Sequence, residues 1–282
     1  MNILSLSSAV AFGHVGNSAT VPALQRLGFE AWPVDTVQFS NHPGYGRFRG
    51  EALPPAQVAA VVAGLAELGV LAECDGLLTG YLGDPGSGEA ALAARAGMRP
   101  GGLWLCDPVM GDDGAGVYVR PGVPEFMRDR ALPACDAVTP NRFELELLAG
   151  LPVGSLAEAA AAARLLLGRG PRWVFVTSLG QGTTCLAVTA AGAWSVETPK
   201  LPFATPVNGA GDLLAALLLA RLLRGDAASE ALAGAVSSLF AVLRRTFELG
   251  RRELALVAAL DEMVRPPEVF AARQFPLPAG EG

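Results

Sequence analysis

Residues 103–109 read LWLCDPV, four apolar side chains followed at once by an acid. A short run that is apolar on both faces must be covered on both sides, which is the condition of an inner strand in a parallel sheet. NILSLSS (2–8), AWPVDTVQF (31–39), GLLTGYL (76–82), DAVTP (136–140) and WVFVTSL (173–179) also read as strands, several of them apolar on both faces. Between them lie helical patterns, NSATVPALQRLG (17–28), PPAQVAAVVAGLAELG (54–69) and SLAEAAAAARLLLGRG (155–170). The last begins with Ser155 as N-cap and Glu158 placed to complete a capping box. Strand and helix in alternation imply parallel crossovers. The expected fold is therefore a three-layer α/β/α sandwich with a mostly parallel central sheet, its ligands lying beyond the carboxyl ends of the strands. TCLAVTAAGAWSVETP (184–199) reads as a hairpin around Ala191 and Gly192, an antiparallel edge on that sheet. From Asp212 onward the pattern is mostly helical, and PLPAGEG (276–282) reads as a loose tail.

With 282 residues, 51% hydrophobic and 17% charged, and with no internal repeat or linker, residues 1–282 are expected to form one domain around a large core. A net charge of −6, with no basic run longer than Arg244-Arg245 or Arg251-Arg252, argues against a nucleic-acid partner. No secretory pattern opens the sequence and no stretch is apolar for the length of a membrane span. Cys74, Cys106, Cys135 and Cys185 are scattered, as buried thiols in a reducing compartment would be. A cytoplasmic protein without a membrane partner is expected.

Absences narrow the chemistry. The only lysine is Lys200, followed by leucine, so a Walker A motif cannot exist. With His14 and His42 alone there is no multi-histidine zinc site, and no G-x-S-x-G elbow occurs. Phosphate chemistry here must rest on backbone amides, helix dipoles and a metal. PVNGAGDLLAALLLARLLRG (206–225) supplies the first two, since the amides of Gly209, Ala210 and Gly211 open a long helix whose N-terminus is an anion site. Arg221 and Arg224 near its end, with Gly225 beyond, complete a helix signature. Asp212 would be repelled by a phosphate unless it has a chemical task. An ordinary helix start with a charge-favoured acid reads the same way from this motif alone.

Asp107, Asp112 and Asp113 cluster in CDPVMGDDGAGVY at the end of an inner strand, where hard carboxylate oxygens suit Mg²⁺ held through water and phosphates. Asp112 and Asp113 also read as a solvated turn. In TPNRFELELL (139–148) a strand ends at Thr139, Pro140 and Asn141 turn the chain, and Glu144 falls on the first turn of the next helix. The glycine-rich stretch 111–118 is expected to be mobile when empty and to act as a lid, Asp112 and Tyr118 closing over bound phosphates.

TVQFSNHPGYG (36–46), GHVGNSA (13–19), LTGYLG (78–83), CDPVMGD (106–112), TPNRFELELL and GAGDLLAALLLA (209–220) resemble, in order, the blocks of the pyridoxal kinases of the ribokinase superfamily. That resemblance implies a homodimeric enzyme that phosphorylates the 5′-hydroxymethyl group of pyridoxal with ATP and Mg²⁺, a monovalent cation being an open addition. It assigns the catalytic base to Asp212 and the anion hole to Gly209, Ala210 and Gly211. Ser8 would contact the pyridine; Val37, Phe39 and Tyr81 would line its pocket. Asp107, Thr139 and Glu144 would surround metal and triphosphate, with Asp107 and Glu144 as metal residues; Thr177 and Ser178 would meet the nucleotide. Three positions depart from the pattern: Ala9 stands where the family has a histidine, Pro43 where it has a threonine, and Asn208 is the residue before the anion-hole glycine; Pro43 cannot supply a side-chain hydroxyl, which bears on substrate affinity or selectivity. Hydroxymethylpyrimidine kinases resemble the chain at DPVM and TPN but usually carry cysteine at the place of Asp212. A non-catalytic pyridoxal-phosphate binder would have an eroded Asp212 site, and a Rossmann oxidoreductase would need G-x-G-x-x-G where GHVGN stands.

Overall fold

In a computed structural model of the chain the described residues are 1–276, so the tail reading for 276–282 lies, after Pro276, outside the described residues. The strands are β1 (Asn2–Phe12), β2 (Glu30–Asn41), β3 (Gly50–Ala52), β4 (Cys74–Thr79), β5 (Leu103–Cys106), β6 (Gly111–Asp112), β7 (Gly116–Val117), β8 (Ala137–Val138), β9 (Trp173–Leu179), β10 (Thr184–Thr189), β11 (Gly192–Glu197) and β12 (Arg273–Phe275). The helices are α1 (Asn17–Arg26), α2 (Pro55–Glu67), α3 (Pro85–Gly97), α4 (Val123–Phe126), α5 (Leu132–Ala134), α6 (Arg142–Ala149), α7 (Leu156–Leu167), α8 (Ala210–Leu223), α9 (Ala228–Glu248) and α10 (Leu260–Val264). A π-helical turn, Met127–Ala131, joins α4 to α5.

Ten strands form one sheet in the order β12-β11-β10-β9-β8-β5-β4-β1-β2-β3. Its centre, from β9 to β2, is parallel. The edges are antiparallel: β3 on one side, and on the other the expected hairpin β10–β11 with β12 added. Alternation along the inner strands builds two cores. Leu4, Leu77, Trp104, Cys106 and Val174 face one, which α2, α3, α6 and α7 cover with Val58, Ala91, Leu145 and Ala160. Ile3, Leu78, Leu105 and Phe175 face the other, covered by α1, α8, α9 and α10 through Leu24, Leu217, Leu232 and Met263. Helix α8 has almost no polar face; Leu213 to Ala220 and Leu222 are all buried, as befits a helix inside the core.

The inner strands stop earlier than the apolar runs suggest. β4 ends at Thr79; β5 ends at Cys106 and β8 keeps only Ala137 and Val138, because Pro108 and Pro140 have no N–H to continue a ladder. Single bonds carry the register onward: Asp107 N–H donates to Thr79 O at 2.8 Å and Thr139 N–H to Cys106 O at 3.1 Å. Both side chains thereby reach the carboxyl edge of the sheet. Ser155 caps α7 by accepting from Glu158 N–H at 3.2 Å, while the Glu158 carboxylate takes the Gly154 N–H at 2.8 Å. No disulfide forms, and among the described residues no helix is long and apolar enough to cross a membrane.

Candidate active site

The start of α8 sits where the carboxyl ends of β1, β4, β5 and β8 converge. Gly209 caps α8 in the left-handed region, at φ 86°. A Cβ on it would lie 1.9 Å from the carbonyl oxygen of His14 and 3.2 Å from Leu254 Cδ1, so only glycine allows the turn to press against the loop after β1. Ala210 and Gly211 follow as the first helical residues, and a Cβ on Gly211 would meet nothing within 4 Å. That side of the helix start is open.

Asp212 lies in the first turn of α8 and is partly buried. Burial raises its carboxyl above the ordinary range, opposed by the Gly16 backbone N–H and by His42. Across the cleft Asp107 is buried and accepts from Thr139 Oγ1 at 2.9 Å. Burial, then the charge of Asp212, push it up to about 7. Glu144, also buried, is raised well above its usual range by burial and by Asp107. Each of its oxygens accepts one backbone amide, from Met110 at 3.0 Å and from Asn141 at 2.9 Å. Asn141 Oδ1 returns a bond to Glu144 N–H at 2.9 Å, so the N-x-x-E of TPNRFE is a full capping box. Its Nδ2 also holds Gly111 O at 2.8 Å.

Asp107 and Glu144 together offer hard oxygen donors held against their own charge, which a cation would relieve. Among the described residues no group of three or more acid, histidine or cysteine side chains could enclose an ion. Two carboxylates are as many as Mg²⁺ takes where water and substrate phosphates complete its shell, so the donor set of Asp107 and Glu144 fits that ion.

Other expected site residues are distributed around this centre. The pairing of β1 with β2 shifts register between Ser7 and Ala9, where two residues of β2, Thr36 and Val37, stand opposite Ser8 alone. Ser8 packs its hydroxyl and carbonyl against Gly16, where a Cβ would meet them at 2.3 and 2.1 Å. Ser7 Oγ is buried without a partner, and a Cβ at Gly80 would lie 2.5 Å from it and 3.7 Å from Asp212 Oδ1. Ser7, not singled out by the motif, thus lies beside the carboxyl group of α8. Val37 packs at Gly83, and Thr36 Oγ1 donates to Tyr81 O at 2.6 Å, so β2 and the end of β4 share one wall. Phe39 instead meets Phe48, ring centroids 4.7 Å apart, in the segment leading to β3. Pro43 is exposed, at the first position of a 3₁₀ turn capped by His42. His42 Nδ1 accepts the Gly44 N–H at 3.1 Å, leaving the proton on Nε2. Burial lowers its basicity, while Asp212 and Glu253 oppose that effect.

On the opposite side, Thr177 N–H donates to Pro140 O at 2.9 Å. Ser178, exposed at the rim, has a φ of 57°, alone among the described non-glycine residues in being positive. Residues 111–118, expected to be mobile, carry the small hairpin β6–β7, pinned by Tyr118 N–H to Met110 O at 3.1 Å. Asp112 Oδ1 accepts the N–H groups of Gly114 and Ala115 at 2.9 and 2.8 Å, and Asp113 pairs with Arg142. Tyr118 is about half covered, 48% exposed, and the loss of water around its hydroxyl, followed by Glu144, Asp112, Asp107 and Asp212, raises it above the usual phenol range.

The family model for phosphomethylpyrimidine kinase matches residues 59–256. A pyridoxal kinase PdxY of Rubrobacter xylanophilus is 52% identical over 97% of both chains, and one of Deinococcus radiodurans is 48% identical over 97% of this chain and 96% of its own. The chain belongs to the pyridoxal kinase family. A solved pyridoxal kinase of Leishmania donovani, in complex with ADP and ginkgotoxin, superposes with a TM-score of 0.90 at 28% identity, covering 98% of this chain and 99% of that one. The family's α/β architecture is thus the architecture of this chain. A putative phosphomethylpyrimidine kinase of Bacteroides thetaiotaomicron, in a crystal form with pyridoxal, gives 0.86 at 26% identity over 97% of this chain and 99% of its own.

Proposed function

We propose that the protein transfers the γ-phosphoryl group of ATP to the 5′-hydroxymethyl group of pyridoxal. The observation that carries the mechanism is the placement of Asp212 in the first turn of α8, near enough to the buried Asp107 for its charge to raise that carboxyl. In this reading the Asp212 carboxylate takes the proton of the alcohol. The alcohol oxygen then bonds to the γ-phosphorus as its bond to the β–γ bridging oxygen breaks, releasing ADP. The amides of Gly209, Ala210 and Gly211 stabilise charge on the transferring group. A carboxyl raised by burial is suited to accepting a proton near neutral pH. Asp107 and Glu144 would hold Mg²⁺, which when bound neutralises charge on the β- and γ-phosphates. Thr139, Thr177, Ser178 and Asn208 line the nucleotide side, with Asp112 and Tyr118 closing over it; Ser8, Val37, Phe39, Pro43 and Tyr81 line the pyridine side. The reading carries with it a homodimer working in the cytoplasm, as the sequence resemblance implies.

The phosphomethylpyrimidine kinase model matched over residues 59–256 favours a second substrate, the alcohol of hydroxymethylpyrimidine. A coupled ADP-release assay across pyridoxal, pyridoxine, pyridoxamine and hydroxymethylpyrimidine separates the two. Pyridoxal is expected to give the highest kcat/KM; a preference for the pyrimidine overturns the assignment. Asp212→Asn should lower kcat by about 10²- to 10⁴-fold while pyridoxal binds within a few fold of wild type. A variant that keeps most of its turnover removes Asp212 as the base.

A further inference from the structure

Beyond the end of α9 the chain returns to the site through Arg252, Glu253 and Leu254, and three loops meet on Glu253. Its backbone forms an isolated parallel bridge with Asn208, the residue before the anion turn, while Leu254 packs beneath Gly209. Its side chain is only 9% exposed. Oε1 accepts the Tyr45 hydroxyl at 2.7 Å, from a residue 208 positions away in the loop after β2. Oε2 is buried without a partner. It occupies the space a side chain would need at Gly13, where a Cβ would come within 2.1 Å and φ is +100°. Arg252 adds a second hold on the same loop. Its guanidinium lies 3.8 Å from the centroid of the Tyr45 ring and donates to Gly44 O at 2.7 Å.

The loop so held carries His42, whose ring feels both Asp212 and Glu253. It also approaches the anion turn directly: a Cβ at Gly44 would be 3.7 Å from Asn208 Nδ2. Burying a carboxyl group with one oxygen unpartnered is a poor way to gain stability, because an apolar side chain of the same size would avoid the desolvation cost. What the arrangement does achieve is a rigid connection. The loop on the alcohol side, the glycine loop after β1 and the turn that cradles phosphate all bear on one side chain.

We propose that Glu253 is a positioning residue that couples docking of the loop around residues 41–47 to the geometry of the 208–212 anion turn. The coupling rests on the phosphotransfer reading of that turn for its catalytic meaning, but its physical content can be measured without substrate. Hydrogen exchange on the unliganded full chain, wild type against Tyr45→Phe, is the test. Removing one hydroxyl at the loop should cut amide protection about fivefold or more in 42–47 and also, through Glu253, in 208–212. If the loop loosens while 208–212 keeps wild-type protection, or if neither changes, the coupling does not exist. Kinetics then connect it to the reaction. Tyr45→Phe should raise KM for pyridoxal about five- to tenfold with KM for ATP unchanged. Glu253→Ala should raise the same KM and also lower kcat, and the double variant should be no worse in KM than Glu253→Ala alone. Glu253→Gln, which can still accept the Tyr45 proton, should recover most of the loss. Effects of Tyr45→Phe and Glu253→Ala that simply multiply overturn the proposal. Should Glu253→Ala fail to fold, the Tyr45→Phe exchange experiment decides alone.

Discussion

Gly209 and Gly211 lie two residues apart in the same anion turn, yet the structure predicts opposite consequences for placing alanine at each. At Gly209 a methyl group meets two obstacles. The backbone is left-handed, at φ +86°, which costs an L residue about 1–2 kcal/mol. The new Cβ would also fall 1.9 Å from His14 O, a backbone atom that cannot rotate away, and forced overpacking of this kind costs about 1–3 kcal/mol. Gly209→Ala should therefore lose roughly 2–5 kcal/mol, a large share of the ~5–15 kcal/mol typical of a folded chain. Relaxation must push the turn away from the loop after β1, and a displaced amide in an oxyanion-type site costs on the order of 10²-fold in kcat. At Gly211 the space is open and no left-handed angle is imposed. Gly211→Ala should leave stability equal or raise it by up to about 1 kcal/mol, since alanine is the better helix former. Its methyl group would occupy the space in front of the helix start, so KM for ATP should rise. Urea unfolding midpoints with steady-state kinetics on both variants measure the contrast. Wild-type stability and turnover in Gly209→Ala would refute the reasoning, because the turn would then not depend on its contact with His14.

Metal-free stability should depend on pH through Asp107. Its carboxyl is raised from 3.8 to about 7, so across that interval the folded chain keeps a proton that the unfolded chain has released; stability is full below 3.8 and falls as pH rises toward 7, by at most on the order of 4 kcal/mol. Denaturant midpoints in EDTA should show the decline, with Mg²⁺ restoring stability at pH 8 and Asp107→Asn flattening the slope; a level profile would contradict the electrostatics. Pro43→Thr should tighten pyridoxal binding by about 0.5–1.5 kcal/mol, less whatever stiffness the 3₁₀ turn gives up, and an unchanged or weaker Kd with the fold intact would count against a missing hydroxyl there. Residues 111–118 should gain hydrogen-exchange protection when ATP, Mg²⁺ and pyridoxal are added together; protection confined to the GAGD turn would move the lid to residues 41–47.

The fold was legible because the inner strands are apolar in both directions, a pattern that leaves few other places for LWLC or WVFV. Asp107, Thr139 and Asp212 were legible as positions, since each follows directly on a strand end or helix start. Their chemical roles came from the family resemblance rather than from the residues. What escaped depends on geometry without a local signature. Alternation along β1 puts Ser7 on the face of Ile3 and Ser5, toward α1 and α8, but nothing in the run itself says that its hydroxyl ends beside Asp212. The N-x-x-E at Asn141 could have been read as a capping box, yet nothing local says that Glu144 also holds Met110. The glycines at 111–118 were read as a mobile stretch, and nothing local says that Gly111–Asp112 and Gly116–Val117 pair as two short strands. Tyr45 and Glu253 are brought together only by closure of the whole chain.

Helix α8, buried along nearly its full length, makes the proposed base part of the interior rather than an attachment to it. Side chains from Leu213 to Ala220 fix the axis on which Asp212 rides, so no local melting can release that carboxyl while the sheet stays whole. Heat should extinguish proton transfer and tertiary structure at one temperature, and the loop carrying His42 and Tyr45, tied to the same interior through Glu253, should let go with them. An ageing preparation would then lose its grip on the alcohol and its ability to move the phosphoryl group together.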